Sequence, residues 1–181
     1  MRGVALTLAW EERERDLADN GTVGFDELYG AHRRRAYRLA LILCGGERVM
    51  AEDALSEAFV RVLRRWRGGG IEEFGPYLRR AVVNEVRRAF TRRELQRRTE
   101  LPVDSAAVEV PSPEDQVVRL QVVLSALKTL PVQQRTASVL RYYEGLPVEA
   151  VAQAMGTSVG TAKVHLSRGR DRLRSLLEGQ L

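Results

Sequence analysis

The sequence predicts an all-α protein, two small helical domains joined by a flexible linker. Three observations carry that expectation. Apolar residues recur at three-to-four spacing along most of the chain. No segment alternates apolar and polar residues in the manner of a strand ladder. Near the middle, residues 99–113 interrupt the helical pattern with Pro102, Pro111 and Pro113, a stretch too long for an ordinary connection within one domain. The 181 residues suffice for one ordinary domain or two small ones.

The first domain is expected over 25–98. Phe25, Leu28, His32, Ala36, Leu39 and Leu43 share one helical face, and Gly45-Gly46 stops the helix. Over 51–66, Ala51, Ala54, Leu55, Ala58, Phe59, Val62, Leu63 and Trp66 form a stripe opposite Glu52, Asp53, Glu57, Arg61 and Arg65. Gly68-Gly69-Gly70 ends this helix in a flexible loop. A third helix is expected from about Pro76 to Arg98, carrying Tyr77, Leu78, Ala81, Val82 and Val86.

The second domain is expected over 114–181. Glu114 and Asp115 suit a helix N-terminus, followed by the stripe Val117, Leu120, Leu124 and Leu127. Leu130-Pro131 breaks it. Helices then follow over Val132–Tyr143 with Gly145 as the C-terminal cap, over Pro147–Ala154, and over Val159–Glu178 with Ser158 as N-cap. Residues 1–24 form an N-terminal extension, expected to be partly disordered.

Charge is distributed in blocks. The net charge is +5, and 27 of the 29 basic residues are arginine. Residues 1–24 carry −2, 25–93 carry +6, 94–115 carry −4 and 116–181 carry +5. Two cationic bodies joined by an acidic segment suit a long polyanion touched at two places; two helical domains coated with ordinary surface charge is the plainer alternative.

Residues 147–173 read as a helix-turn-helix: a short helix, a turn at Met155-Gly156-Thr157 and a longer helix. Val148, Val151 and Ala152 are expected to bury the first helix, and Val159, Ala162, Leu166 and Leu173 part of the second. The other face then offers Thr161, Lys163, His165, Ser167, Arg168 and Arg170, groups that reach base edges or phosphates from the major groove. Ser158 and the N–H groups behind it can take a phosphate. A helical hairpin with a solvated basic face is the competing account; turn chemistry and face chemistry together favour DNA binding.

Enzymatic chemistry finds little footing, so no catalytic, cofactor-binding or metal-binding residue is expected. Glu52, Asp53 and Glu57 have no nearby histidine, nucleophile pair or phosphate loop. His165 and His32 are the only histidines, and the single cysteine, Cys44, rules out an internal disulfide and reads as a small buried residue. No apolar run is long enough to span a membrane, and Met1–Trp10 lacks the length and cleavage site of a signal peptide, so a cytoplasmic setting is expected.

In their order and spacing, these segments resemble a bacterial extracytoplasmic-function (group IV) RNA polymerase sigma factor of the sigma-70 superfamily, over residues 25–178. FDELY at 25–29 with RRRAYRLA at 33–40 is similar to the opening of sigma region 2. AEDALSEAFVRV at 51–62 is similar to the core-binding helix, and YLRRAVVN at 77–84 to the promoter-melting helix. LKTLP at 127–131 with Arg135, Tyr142 and Glu144-Gly145-Leu146 looks like the start of region 4, and GTSVGTAKVHLSRGR at 156–170 closely resembles its recognition helix.

The resemblance implies a promoter-specificity subunit without enzymatic activity or cofactor. Asp53, Leu55, Glu57, Phe59 and Val60 would meet the clamp helices of the polymerase β′ subunit, and region 4 the flap of the β subunit. Phe74, Tyr77, Arg79, Arg80, Asn84, Arg87 and Arg88 would handle the −10 element of promoter DNA, by stacking on an unpaired base, holding phosphates and reading an edge. Thr157, Ser158, Thr161, Lys163, His165, Ser167, Arg168 and Arg170 would read the −35 element. The acidic linker would lie along the RNA-exit path, and an anti-sigma factor is an implied partner. The chain departs from the pattern at Pro147, where a serine-like N-cap is usual, at Tyr77, where many members have Trp, and at Arg88, where many have Asp. A free-standing helix-turn-helix regulator of LuxR-like type is the rival, since Thr161–Leu166 is similar to that output domain as well. Its weakness is that 25–93 lacks the alternating strands and helices of a receiver.

Overall fold

The computed structural model describes residues 24–99 and 122–178, all helices and turns. All but Gly24 of the N-terminal extension, nearly all of the linker and the expected helix start at Glu114, with Val117 and Leu120, lie outside the described residues.

Three helices make the first domain. α1 (Phe25–Leu43) follows extended Gly24, carries Asp26 and Glu27 in its first turn, where the helix dipole favours acid, and buries Leu28, His32, Ala36, Leu39, Ala40 and Leu43. Gly45 and Gly46 end it with φ of 66° and 88°, a left-handed conformation that other residues adopt only under strain. α2 (Arg48–Arg67) starts three residues before its expected boundary. It buries Ala51, Ala54, Ala58, Phe59 and Val62, a largely small-residue stripe that lets its neighbours approach, and has Arg64, Arg65 and Arg67 in its last turn. α3 (Phe74–Thr99) places Pro76 in its first turn, where a missing N–H costs nothing, and reaches one residue into the expected linker. Leu39, Leu43, Val62, Leu78, Val82 and Val86 meet in the centre.

Among the described residues, the second domain starts with α4 (122–128). Leu127 and Leu130 are buried, and Leu124 is half-buried. α5 (Val132–Ser138) continues as one π-helical turn, Val139–Tyr143. The wider turn ends with the Glu144 N–H donating to Val139 O at 3.0 Å, which keeps Val139 and Leu140 inside while Tyr142 and Tyr143 face out. α6 (Val148–Met155) starts one residue after Pro147 and closes on left-handed Gly156. α7 (Val159–Leu177) follows.

The two domains pack against each other, and one continuous apolar cluster runs through both. α3 meets α6 across the boundary. No helix among the described residues is long and apolar enough to cross a membrane.

Candidate nucleic-acid interface

α7 is set by its own N-cap. The Ser158 Oγ accepts from the Thr161 N–H at 3.1 Å and lies 2.9 Å from the Thr161 hydroxyl. Ala162, Leu166 and Gly169 turn inward. Gly169 lies so close to α5 that a Cβ there would meet Ser138 Oγ at 2.6 Å and Gln134 O at 3.2 Å. This close crossing sets the pose of the helix-turn-helix.

Ser158, Thr161, Lys163, Ser167, Arg168 and Arg170 are exposed on α7 and its cap, and Thr157 is half-buried in the turn. Two expectations need correction. His165 is half-buried, with Nδ1 sealed from solvent, because its position turns towards the inner face set by Ala162, Leu166 and Gly169. Val159 is exposed rather than buried, as are its neighbours Ser158, Gly160 and Thr161 in the first turn of α7. Val164, 46% exposed amid the polar face, was missed; an apolar group there suits contact with a thymine methyl.

On α2, Asp53 and Glu57 are exposed and Val60 is 45% exposed, while Leu55 is half-buried. Phe59 corrects another expectation. It belongs to the inner stripe and packs edge-on against Tyr29 of α1, ring centres 4.6 Å apart, so it supports this surface from beneath. Tyr29 is exposed beside it.

The residues expected at the −10 element divide. Arg80, Arg87 and Arg88 are exposed, and Tyr77 and Asn84 are half-buried. Phe74 is buried at the start of α3, packed against Phe25 at 5.9 Å and His32 at 5.2 Å, which removes it as a stacking platform. Arg79 is also buried, its Nε 3.4 Å from the carboxylate of Glu144 in the second domain. Arg87 reaches the Met155 carbonyl at 3.4 Å. The glycine loop is covered on one side: Arg65 donates to Gly70 O at 3.2 Å, and a Cβ on Gly70 would collide with its guanidinium.

Two supporting acids had no local signal. Glu85, buried in α3, accepts from Arg61 and from Arg88, each at 2.8 Å, and so holds two half-exposed guanidinium groups side by side. Glu47 pairs with Arg93. A cleft of about 640 Å³ runs between the glycine loop with Tyr77 and Arg80 on one side and Pro147, Ala150 and Gln153 on the other. No group of acidic, histidine or cysteine side chains suited to a metal ion occurs among the described residues.

The two domains match two family models in chain order: sigma-70 region 2 over residues 28–96, and sigma-70 region 4 over 120–173. The RNA polymerase sigma-E factor of Streptomyces avermitilis is 34% identical over 134 residues, 73% of each chain. The chain belongs to the extracytoplasmic-function RNA polymerase sigma factors. The sigma factor SigE of Mycolicibacterium smegmatis is 35% identical over 158 residues, covering 84% of this chain and 61% of SigE, so the chain spans under two thirds of that relative. In fold, this sigma factor is similar to RpoE of Bartonella quintana, solved with the anti-sigma factor NepR, with a TM-score of 0.70 over 85% of this chain and 96% of that one, at 24% identity. The LuxR-like alternative is overturned, because the first domain is sigma region 2 and has no strand among its described residues.

Proposed function

We propose that the chain directs core RNA polymerase to a set of promoters and helps to open them. The carrying observation is the pairing of a capped α7, whose exposed face bears Thr161, Lys163, Ser167, Arg168 and Arg170, with a sigma region 2 ahead of it on the same chain. In this reading α7, with Thr157 and Ser158 at its start, enters the major groove of the −35 element as intact duplex. His165 braces the helix.

Tyr77, Arg80, Asn84, Arg87 and Arg88 face the −10 element, with Tyr77 as the one stacking ring left once Phe74 is assigned to the core. Arg79 joins them when freed from Glu144. Asp53, Glu57, Val60 and the edge of Leu55 meet the β′ clamp helices, backed by Phe59, and region 4 meets the β flap. Each domain binds DNA weakly alone, and core polymerase fixes their spacing so that both engage together. An anti-sigma factor is the further protein partner, by analogy with the NepR complex of the Bartonella protein. The setting is the cytoplasm, and the chain acts without catalysis or cofactor of its own.

The deciding experiment is transcription by purified core polymerase, with and without this chain, on a library of genomic fragments. New, sharply positioned starts that share two upstream elements support the reading. Core-independent footprints with no new starts refute it.

A further inference from the structure

Two buried charges cross the boundary between the domains in opposite directions. Glu144, which follows the π-helical turn, is 1% exposed, and its Oε2 lies 3.1 Å from Arg35 Nη2 on α1 and 3.4 Å from Arg79 Nε on α3. Arg135, 5% exposed, donates through Nη1 to Leu43 O at 2.8 Å, at the negative C-terminal end of α1. Its Nη2 donates to Lys128 O and Leu130 O in its own domain, and its guanidinium lies over the ring of Phe90.

A carboxylate held by two guanidinium groups has the form of a phosphate site, because arginine binds both anions through the same donors. Arg35 and Arg79 belong to the domain with the higher net positive charge, and exposed Arg80 and Arg87 lie on the same helix as Arg79. Glu144 comes from the other domain, carried inward by the one widened turn of α5. The pairing is also poised. Separating the domains loses the charge contacts but rehydrates all three groups, so the closed state is less strongly favoured than an apolar interface of that size would make it.

We propose that Arg35 and Arg79 form a binding site for a nucleic-acid backbone phosphate, and that Glu144 fills it in cis, so that the free chain is held closed. Phosphate and Glu144 exclude each other, so nucleic acid and domain closure are linked: binding one opposes the other. The identity of the ligand rests on the sigma reading, whereas the closure is a property of the free chain.

The test uses the full chain with dyes on Val49→Cys and Ser175→Cys, both exposed positions; native Cys44 is buried and spared. Energy transfer reports opening, and anisotropy of a single-stranded DNA 20-mer reports binding. Saturating 20-mer is expected to lower transfer in the wild-type chain. Glu144→Gln is expected to lower it without DNA and to tighten 20-mer binding about tenfold, the gain if about a tenth of the wild-type chain is open. Adding Arg35→Gln to Glu144→Gln should remove most of that gain while leaving the chain open. Arg135→Gln, which cuts the other bridge and spares Arg35 and Arg79, should act in the same direction if Glu144→Gln fails to fold.

Unchanged wild-type transfer at saturating 20-mer overturns the proposal. So does a Glu144→Gln chain that opens with no gain in binding. Core-dependent transcription by the wild-type chain, run in parallel, separates the two readings. If it fails while opening and binding behave as stated, the sigma reading falls and the latch stands. If it succeeds while they do not, the latch alone falls.

Discussion

Arg61 on α2 and Arg88 on α3 share one oxygen of Glu85, each at 2.8 Å, and the carboxylate beneath them is buried. Like charges are thereby held side by side at the surface by one acid under the pair. Glu85→Gln keeps the shape and removes the charge, so it is expected to cost about 1.5–3 kcal/mol, the range for hydrogen bonds to charged groups. Arg61→Ala alone is expected to cost under about 1 kcal/mol, since Arg61 is half-exposed and Arg88 remains on the same acid. Urea unfolding of the two variants checks the order; equal losses would mean that Glu85 is not the keystone.

Gly169 is the point where α7 touches α5. Gly169→Ala places a methyl group against Ser138 Oγ and the Gln134 carbonyl, and overpacking of this kind costs about 1–3 kcal/mol. Ser138→Ala removes the nearer atom, so the double variant should recover part of the loss. A double-mutant cycle read by thermal unfolding checks the coupling, and strictly additive losses would place the strain elsewhere.

Much of the fold was legible because helices announce themselves locally. Phe25 to Leu43, with Gly45-Gly46 after it, carries its period and its stop within one stretch of chain, and Ser158 stands at the start of α7 as its chemistry requires. The site was legible only in part, because exposure is decided by distant partners. Phe59 stands in the apolar stripe of its helix, and the contact role that the resemblance adds for it, like the stacking role for Phe74, gives way once Tyr29 and Phe25 claim these rings. Glu144 and Arg35 are 109 residues apart, and Arg135 and Leu43 are 92 apart, so no local pattern foretells either bridge. The π-helical turn adds one residue that a regular period does not anticipate.

Ser158 caps α7 through the Thr161 N–H. Ser158→Ala is expected to cost about 1 kcal/mol and to weaken binding to −35 duplex DNA, whereas Ser158→Asp should keep the cap. Stability by urea unfolding and affinity by duplex anisotropy should fall together in the alanine variant alone. A Ser158→Ala chain with unchanged stability would show that the cap is not formed in solution.

Arg168 is exposed on the outer face of α7, clear of the core. Arg168→Ala should leave stability within about 0.5 kcal/mol of wild type. If Arg168 meets a phosphate, log affinity for −35 duplex should lose about 0.9 of its slope against log salt concentration. If it reads a base, the slope stays and discrimination among duplexes narrows instead. Titrations at several salt concentrations distinguish the two, and a variant altered in neither would remove Arg168 from the interface.

Burial pushes the Cys44 thiol up to about 12, with Glu47 adding to the rise and Arg135 opposing it. In the unfolded chain the same thiol ionises near 9. Below that pH both states keep the proton, and the group adds no pH dependence. Between about 9 and 12 the native state holds a proton that the unfolded state has released, so stability falls as pH rises, by up to about 1.4 kcal/mol per unit. Wild type should therefore lose more stability than Cys44→Ala between pH 8 and 10.5, in urea unfolding at each pH. The small cavity left by alanine shifts both of its values equally and cancels in the comparison. Equal losses in the two chains would mean that the thiol ionises in the folded state as readily as in the unfolded one.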